Sequence, residues 1–351
     1  MFSRFGSILV SLLLLAPALR AWDYTGHRIV NEVALASLPA DFPAFVHEPA
    51  NAERIAWLCS EPDRWRSAVD LPARHINAPD HYLDLEELED AGLSAATVSS
   101  FRYDFTVQYS QGRAAHPQNF APIDASKDGD HLRIWPGFLP WSIAEYFGKL
   151  RADFARLKVL QELGTPDEIV QTKASIVELM GIMGHYVGDG AQPLHTTKHH
   201  NGWVGDNPKG YTTWNKFHSW VDGGFIAKAN ITFANVRGQV KSVEPLSLAS
   251  LPSGRDPMFD AVMTYLLDQN KLLEPLYQLE KDGKLNHDDS APSAEGRAFI
   301  EGQLVTGGEM LGRIWLTAWR SAAPDTYLRS QLVKGQAADK PEAAGKPVKK
   351  P

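Results

Sequence analysis

Cysteine is almost missing from this chain of 351 residues: Cys59 stands alone, so no internal disulfide can form. A chain of this length buries enough apolar surface to do without such staples. Alternating apolar and polar runs are scarce, so strands are not expected to build the fold. No internal repeat is visible, which excludes a repeat array. Positive charge is in deficit, with 35 Lys and Arg against 42 Asp and Glu and a formal net charge of −7. An acidic chain lacks the general field by which many proteins attract nucleic acid. Any phosphate ligand would therefore need a local source of positive charge.

Long apolar runs are confined to the start. Residues 1–21 read as a secretory signal: Arg4 gives the positive end, and "ILVSLLLLAPAL" is too short to span a bilayer. Ala21 suits the last position before cleavage, although Leu19 is larger than the residue usual two places earlier. Losing Arg4 and Arg20 with the leader takes the net charge from −7 to −9. The mature chain is expected to be secreted or periplasmic, without a membrane span and monomeric. At the other end "KGQAADKPEAAGKPVKKP" is low-complexity, and 329–351 is expected to be a disordered tail.

What is abundant is helical periodicity. Glu168–Asp189 carries Ile169, Ile176, Met180, Met183 and Val187 at helical spacing. Residues 257–283 and 298–322 read as further long helices, the former open to a kink at Pro275. Shorter helical patterns cover Arg28–Leu38, Ala52–Ser67, Trp141–Leu163 and Asn215–Ala227. Gln108–Pro140 and Thr196–Trp214 read as long loops, the kind that carry function on a helical scaffold. The expected fold is all-α, a single helical domain over 22–328.

The chemistry concentrates in "HYVGDGAQPLH". His185 and Asp189 are four apart on one helix face, and His195 follows just past Gly190 and Pro193. His218 and Asp222 repeat the His-x-x-x-Asp spacing. One such pair is ordinarily a helical ion pair; two pairs with a histidine between them suit a divalent metal, zinc above all. A helical bundle can project such ligands inward. Asp63 falls late in an apolar helix, an awkward place for a carboxylate without a partner. His81 lies between apolar and aromatic residues, and His27 opens the first helix. The other seven histidines, His47, His75, His116, His131, His199, His200 and His287, read as surface or loop residues.

The order of these elements carries a resemblance: Trp at the mature N-terminus, Gly-His, Asp-x-x-Arg, His-Tyr-x-Asp, His-x-x-x-Asp-x-x-x-x-x-His and His-x-x-x-Asp. It resembles the zinc-dependent nuclease S-one/P-one family, which shares its all-helical fold with the zinc phospholipases C. The match runs from Trp22 to at least Asp222. The resemblance implies three zinc ions: one on Asp63, His81, His185 and Asp189, one on His195, His218 and Asp222, and one on His27, Asp189 and Trp22. Trp22 would bind through its α-amine and carbonyl, a ligand that exists only once the leader is cut. Three such ions among three aspartates leave the site at about +3, a strong local attraction for phosphate.

The resemblance further implies a phosphodiesterase that uses water as nucleophile, cleaving single-stranded RNA and DNA to 5′-phosphate nucleotides, with possible removal of terminal 3′-phosphate. Asp63 would orient the water, and Arg66 would be the cation beside the phosphate. Tyr82 would stack on a base, and Asp84 would accept from its edge. Two departures stand out: there are no cysteine pairs, and Gln108–Pro140 is longer than in compact members. Two alternatives remain. A zinc phospholipase C would use the same metals, but its last ligand is typically Glu where this chain has Asp222. A secreted zinc-binding protein on the same scaffold would need no hydrolysis. "NIT" at Asn230 is a glycosylation sequon only in a host that glycosylates.

Overall fold

The computed structural model describes residues 24–338, which form helices, turns and loops without a strand. The all-α expectation holds for this span. The leader at 1–21, Trp22 and the last part of the tail at 339–351 lie outside the described residues.

The organising element is a central helix, Pro166–Ala191. Its start is set locally. The Thr165 hydroxyl accepts from the Glu168 N–H, the Glu168 carboxylate accepts from the Thr165 N–H, and Pro166 fills a first-turn position that needs no donor. From Met180 to Ala191 every residue of this helix is buried, so its far half is wrapped on all sides. The partners are the first helix (Tyr24–Ser37), Pro49–Leu58, Leu139–Leu163 and the last long helix, Ala294–Ser321. Fully buried Trp315, Phe154, Tyr186 and Phe259 fill the core. Each large side chain of this kind contributes roughly 1.5–3 kcal/mol.

Close approach to the central helix needs small residues on it. A Cβ at Gly184 would collide with the Asn31 Oδ1 of the first helix. The Asn31 amide cannot move away cheaply, because it donates to the Ile55 carbonyl at 2.8 Å and the Gly181 carbonyl at 3.1 Å. One buried asparagine thus ties three helices together.

Several boundaries differ from the sequence reading, each for a local reason. Ala52–Ser67 is two helices, Pro49–Leu58 and Glu61–Arg66. Pro62 has no N–H for the carbonyl four residues back, so the chain breaks at Cys59 and Ser60. By the same logic Pro275 divides 257–283 into Pro257–Asn270 and Leu273–Lys281. The expected loop from Gln108 begins eight residues later, because Arg102–Ala115 is helical. Asn215–Ala227 is not one regular helix: a π turn at Trp220–Gly224 separates Phe217–Ser219 from Phe225–Lys228. The tail expected from 329 is helical further on, within Thr326–Ala338. That helix is anchored by Arg329 against Glu162 and by the Asp325 N–H on the Ala155 carbonyl.

Candidate metal centre

Several elements deliver a donor to one place. The central helix brings His185 and Asp189 to the same face, both without solvent exposure. Its end at Ala191 is followed by a short 3-10 turn, Pro193–Thr196, which carries His195. The first helix contributes His27, which stacks on His185 with ring centroids 3.8 Å apart. The turn Ala78–His81 contributes His81, and Glu61–Arg66 contributes Asp63. The π turn places Asp222 so that its Oδ2 lies 2.9 Å from His218 Nε2. Single π turns inside helices are frequent at functional sites.

Among the described residues, three groups of donors could each hold a metal ion: His27, Asp63 and His185; His81, His185 and Asp189; and His195, His218 and Asp222. Within each group the donor atoms lie within 4.8 Å of one another. Asp189 sits at the middle. Its Oδ2 is 3.0 Å from His81 Nδ1 and 3.4 Å from His185 Nε2, and its Oδ1 is 3.4 Å from His27 Nε2. Eight of the nine expected ligands therefore converge, and the ninth, Trp22, lies outside the described residues. The partition differs in two respects: Asp63 groups with His27 and His185 rather than with His81 and Asp189, and His27 groups with Asp63 and His185 rather than with Asp189. His27 stacks on His185 within this arrangement.

That stacking depends on Gly188. A Cβ there would lie 2.8 Å from His27 Nδ1, and the ring has no room to retreat from His185. Gly188→Ala should therefore push His27 out of register. The substitution gains about 1 kcal/mol of helix propensity and loses about 1–3 kcal/mol to overpacking. The expected result is a folded protein with a small change in melting temperature that binds fewer metal ions per chain. Metal analysis beside a thermal melt checks this; full metal content contradicts it.

The donor set fits a cation by the state of its atoms. Both ring nitrogens of His27, His81 Nε2, Asp189 Oδ1 and Asp222 Oδ2 are buried without a hydrogen-bond partner. Elsewhere ring nitrogens face each other: His195 Nε2 is 2.9 Å from His218 Nε2, and His185 Nε2 is 2.9 Å from His81 Nδ1. His185 Nδ1 donates to the Cys59 carbonyl at 2.6 Å, so its Nε2 carries a lone pair. His195 Nδ1 donates to the His81 carbonyl at 2.6 Å, with the same consequence. Such outer contacts orient histidine ligands. The break at Cys59 has a purpose here, since a carbonyl at a helix end is open to an outside donor.

Burial sets the protonation states of these groups. It pushes His185, His195 and His218 down to about 3, and His27 and His81 well below the usual range. It pushes Asp222 up to about 7 and, helped by the charge of Asp63, Asp189 well above the carboxylate range. Neutral imidazoles stay ready to ligate, while the carboxylates await a positive charge. Arg66 supplies one such charge, its Nε 2.8 Å from Asp63 Oδ1.

A cleft of about 280 Å³ opens on the centre, lined by His81, His195, His218 and Asp222 with Arg66, Tyr82 and Asp84. All three non-ligand residues singled out from the sequence thus face one cavity. His200 and Asn201 line it too; His200 is a loop residue as expected, but its loop faces the cleft. Its Nδ1 donates to the Thr197 carbonyl at 3.2 Å, and its ring centroid is 5.9 Å from that of His218. The signal was its place in the loop directly after a ligand. His199 turns away and stacks on Trp203, with its carbonyl accepting from the Tyr277 hydroxyl.

Fold and site together define an all-α protein with buried His/Asp groups able to hold metal ions, and no helix among the described residues is long and apolar enough to cross a membrane. Comparison with family models, with curated proteins and with solved structures finds no match.

Proposed function

We propose that the protein is a zinc-dependent nuclease of the S-one/P-one kind, with the fold of the zinc nuclease and phospholipase C type. It would hydrolyse phosphodiester bonds of single-stranded RNA and DNA. The observation that carries the reading is the convergence of His27, Asp63, His81, His185, Asp189, His195, His218 and Asp222 beneath one cleft that also bears Arg66. Three zinc ions held there would supply Lewis acidity for a phosphate and lower the pKa of water toward neutrality.

The chain's own residues do the rest. Arg66 is partly exposed to the cleft and held in direction by Asp63. A guanidinium carries five N–H donors in a planar fork, a shape that matches phosphate oxygens. Asp84 is buried, with its Oδ1 unpartnered. Burial and the charges of Glu87 and Glu86 raise its carboxyl well above the ordinary range. Its carboxyl oxygens would accept from a base edge. Tyr82 lies beside it in the cleft wall, where stacking on a base contributes roughly 1–3 kcal/mol. Duplexes hide both the faces and the edges, which favours single strands.

The test is zinc analysis of the chain lacking residues 1–21, with hydrolysis of single-stranded RNA, single-stranded DNA and phosphatidylcholine measured side by side. Three zinc ions and cleavage of the nucleic acids are expected. Turnover of phosphatidylcholine with both nucleic acids intact overturns the reading in favour of a phospholipase C. Zinc binding with none of the three hydrolysed leaves a binding protein.

A further inference from the structure

Gln192 lies between two ligands in sequence and is completely buried, an expensive place for a primary amide. Every polar group it owns is used. Its side-chain Oε1 accepts from the Leu194 N–H at 2.9 Å. That contact fixes which end of the amide is oxygen, so Nε2 must be the end that faces Asp222. There it donates to Asp222 Oδ1 at 2.6 Å. Its backbone N–H bonds the Asp189 carbonyl at 3.0 Å, and its carbonyl accepts from the His195 N–H at 2.9 Å. One residue therefore touches the helix end that carries Asp189, the turn that carries His195 and the π turn that carries Asp222.

The consequence falls on Asp222. With Oδ1 bound by the amide, the carboxylate cannot rotate, and Oδ2 alone is presented, 2.9 Å from His218 Nε2 and without a hydrogen-bond partner. We propose that Gln192 is the positioning residue that holds Asp222 as a one-oxygen ligand and so sets the zinc affinity of the His195–His218–Asp222 group. The proposal rests on the metal reading above. Hydrogen-bond partners of this kind are typically worth 10- to 100-fold in metal affinity.

Zinc titration of the whole mature chain against a competing chelator tests it, with Gln192→Met as the variant of similar length that lacks the donor. Of the zinc ions bound, one should weaken by about 10- to 100-fold while the others hold their wild-type affinity. A merely structural role would not select one ion. The double variant supplies the second arm. If Gln192 acts through Asp222, then Gln192→Met combined with Asp222→Ala should weaken zinc binding no more than Asp222→Ala alone. Unchanged zinc affinity in Gln192→Met overturns the proposal, as does additive weakening in the double variant. Should Gln192→Met not fold, Gln192→Leu, which is neutral and also lacks the donor, takes its place, and the same selective weakening is expected of it. Wild-type protein that binds no zinc removes the metal reading, and the proposal with it.

Discussion

Asp189→Asn should lower hydrolysis by about 10³-fold or more and, in the metal-free protein near neutral pH, raise the melting temperature. The two effects have one origin. Asp189 faces His27, His81 and His185 at 3.0 to 3.4 Å, the most central position in the site. An asparagine offers one neutral acceptor where the carboxylate offers two charged oxygens, so the His81–His185–Asp189 group loses the negative charge that would hold a cation. Without metal the same carboxylate is a burden. Its pKa is raised well above the ordinary value by desolvation, so stability declines as pH rises from the unfolded value toward the folded one. The amide carries no such penalty, which is on the order of 1–3 kcal/mol for an ill-satisfied buried group. Loss of activity alone would fit any damaged enzyme. Loss of activity with a gain in metal-free stability fits a carboxylate that exists to hold cations. A metal-free Asp189→Asn protein that melts below the metal-free wild type contradicts this account.

Stripping the metal from the wild type should lower its melting temperature by about 10 °C or more. A tight ligand at a thousandfold excess over its Kd adds about 4 kcal/mol, and each ion bound contributes separately. The metal-free form should also show a stability maximum near pH 7. The five histidines of the site, four buried and His218 half-buried, have folded pKa values far below 6.5, so below that pH the unfolded chain takes up protons that the folded chain refuses. Stability therefore falls on acidification. Asp222, at about 7, and Asp189 work in the opposite sense, since the folded chain keeps their protons longer. Between about pH 4 and 6.5 the seven lowered histidines, these five with His199 and His200, outnumber the four strongly raised carboxyls, Asp80, Asp84, Asp189 and Asp222, and the net slope is upward with pH. Above about 7 the histidines have stopped contributing and the carboxylates tilt the curve down. Calorimetry of chelator-treated protein across that range checks the shape. A metal-free melting temperature that climbs as pH falls from 6.5 to 5 would reverse the assignment of these histidines as buried and neutral.

The part of the site on one helix was legible because a spacing of four residues fixes a shared face: His185 with Asp189 needed no tertiary information. Strong periodicity likewise gave the central helix, whose true ends differ by only two residues at each end. His27, Asp63 and His81 became ligands through the ordered resemblance, since three separate elements must meet before their side chains do. Breaks were harder to read, because proline disrupts the bond four residues back and so acts at a distance from itself. Pro62 opened a helix at Cys59, and that opening supplied the carbonyl for His185. Gln192 carried no signal beyond its position, because an amide in a tight turn is ordinary until its partners are known. His199 and His200 could not be told apart for a related reason: a loop histidine reveals nothing of which way its ring points, and only His200 faces the cleft.

The meeting of the first helix with the last long helix, Ala294–Ser321, has a temporal consequence. Gly308 lets Val33 lie against it, and Gly312 admits Ser37, so the packing that seats His27 uses residues from both ends of the chain. Loops of this length close slowly, and their contacts form late relative to local helices. A nascent chain that has emerged only as far as Asp222 owns all eight ligands yet lacks the wall that holds the first of them. On the metal reading proposed above, the full donor geometry is therefore held in place only once Ala294–Ser321 has been made and has packed on the first helix.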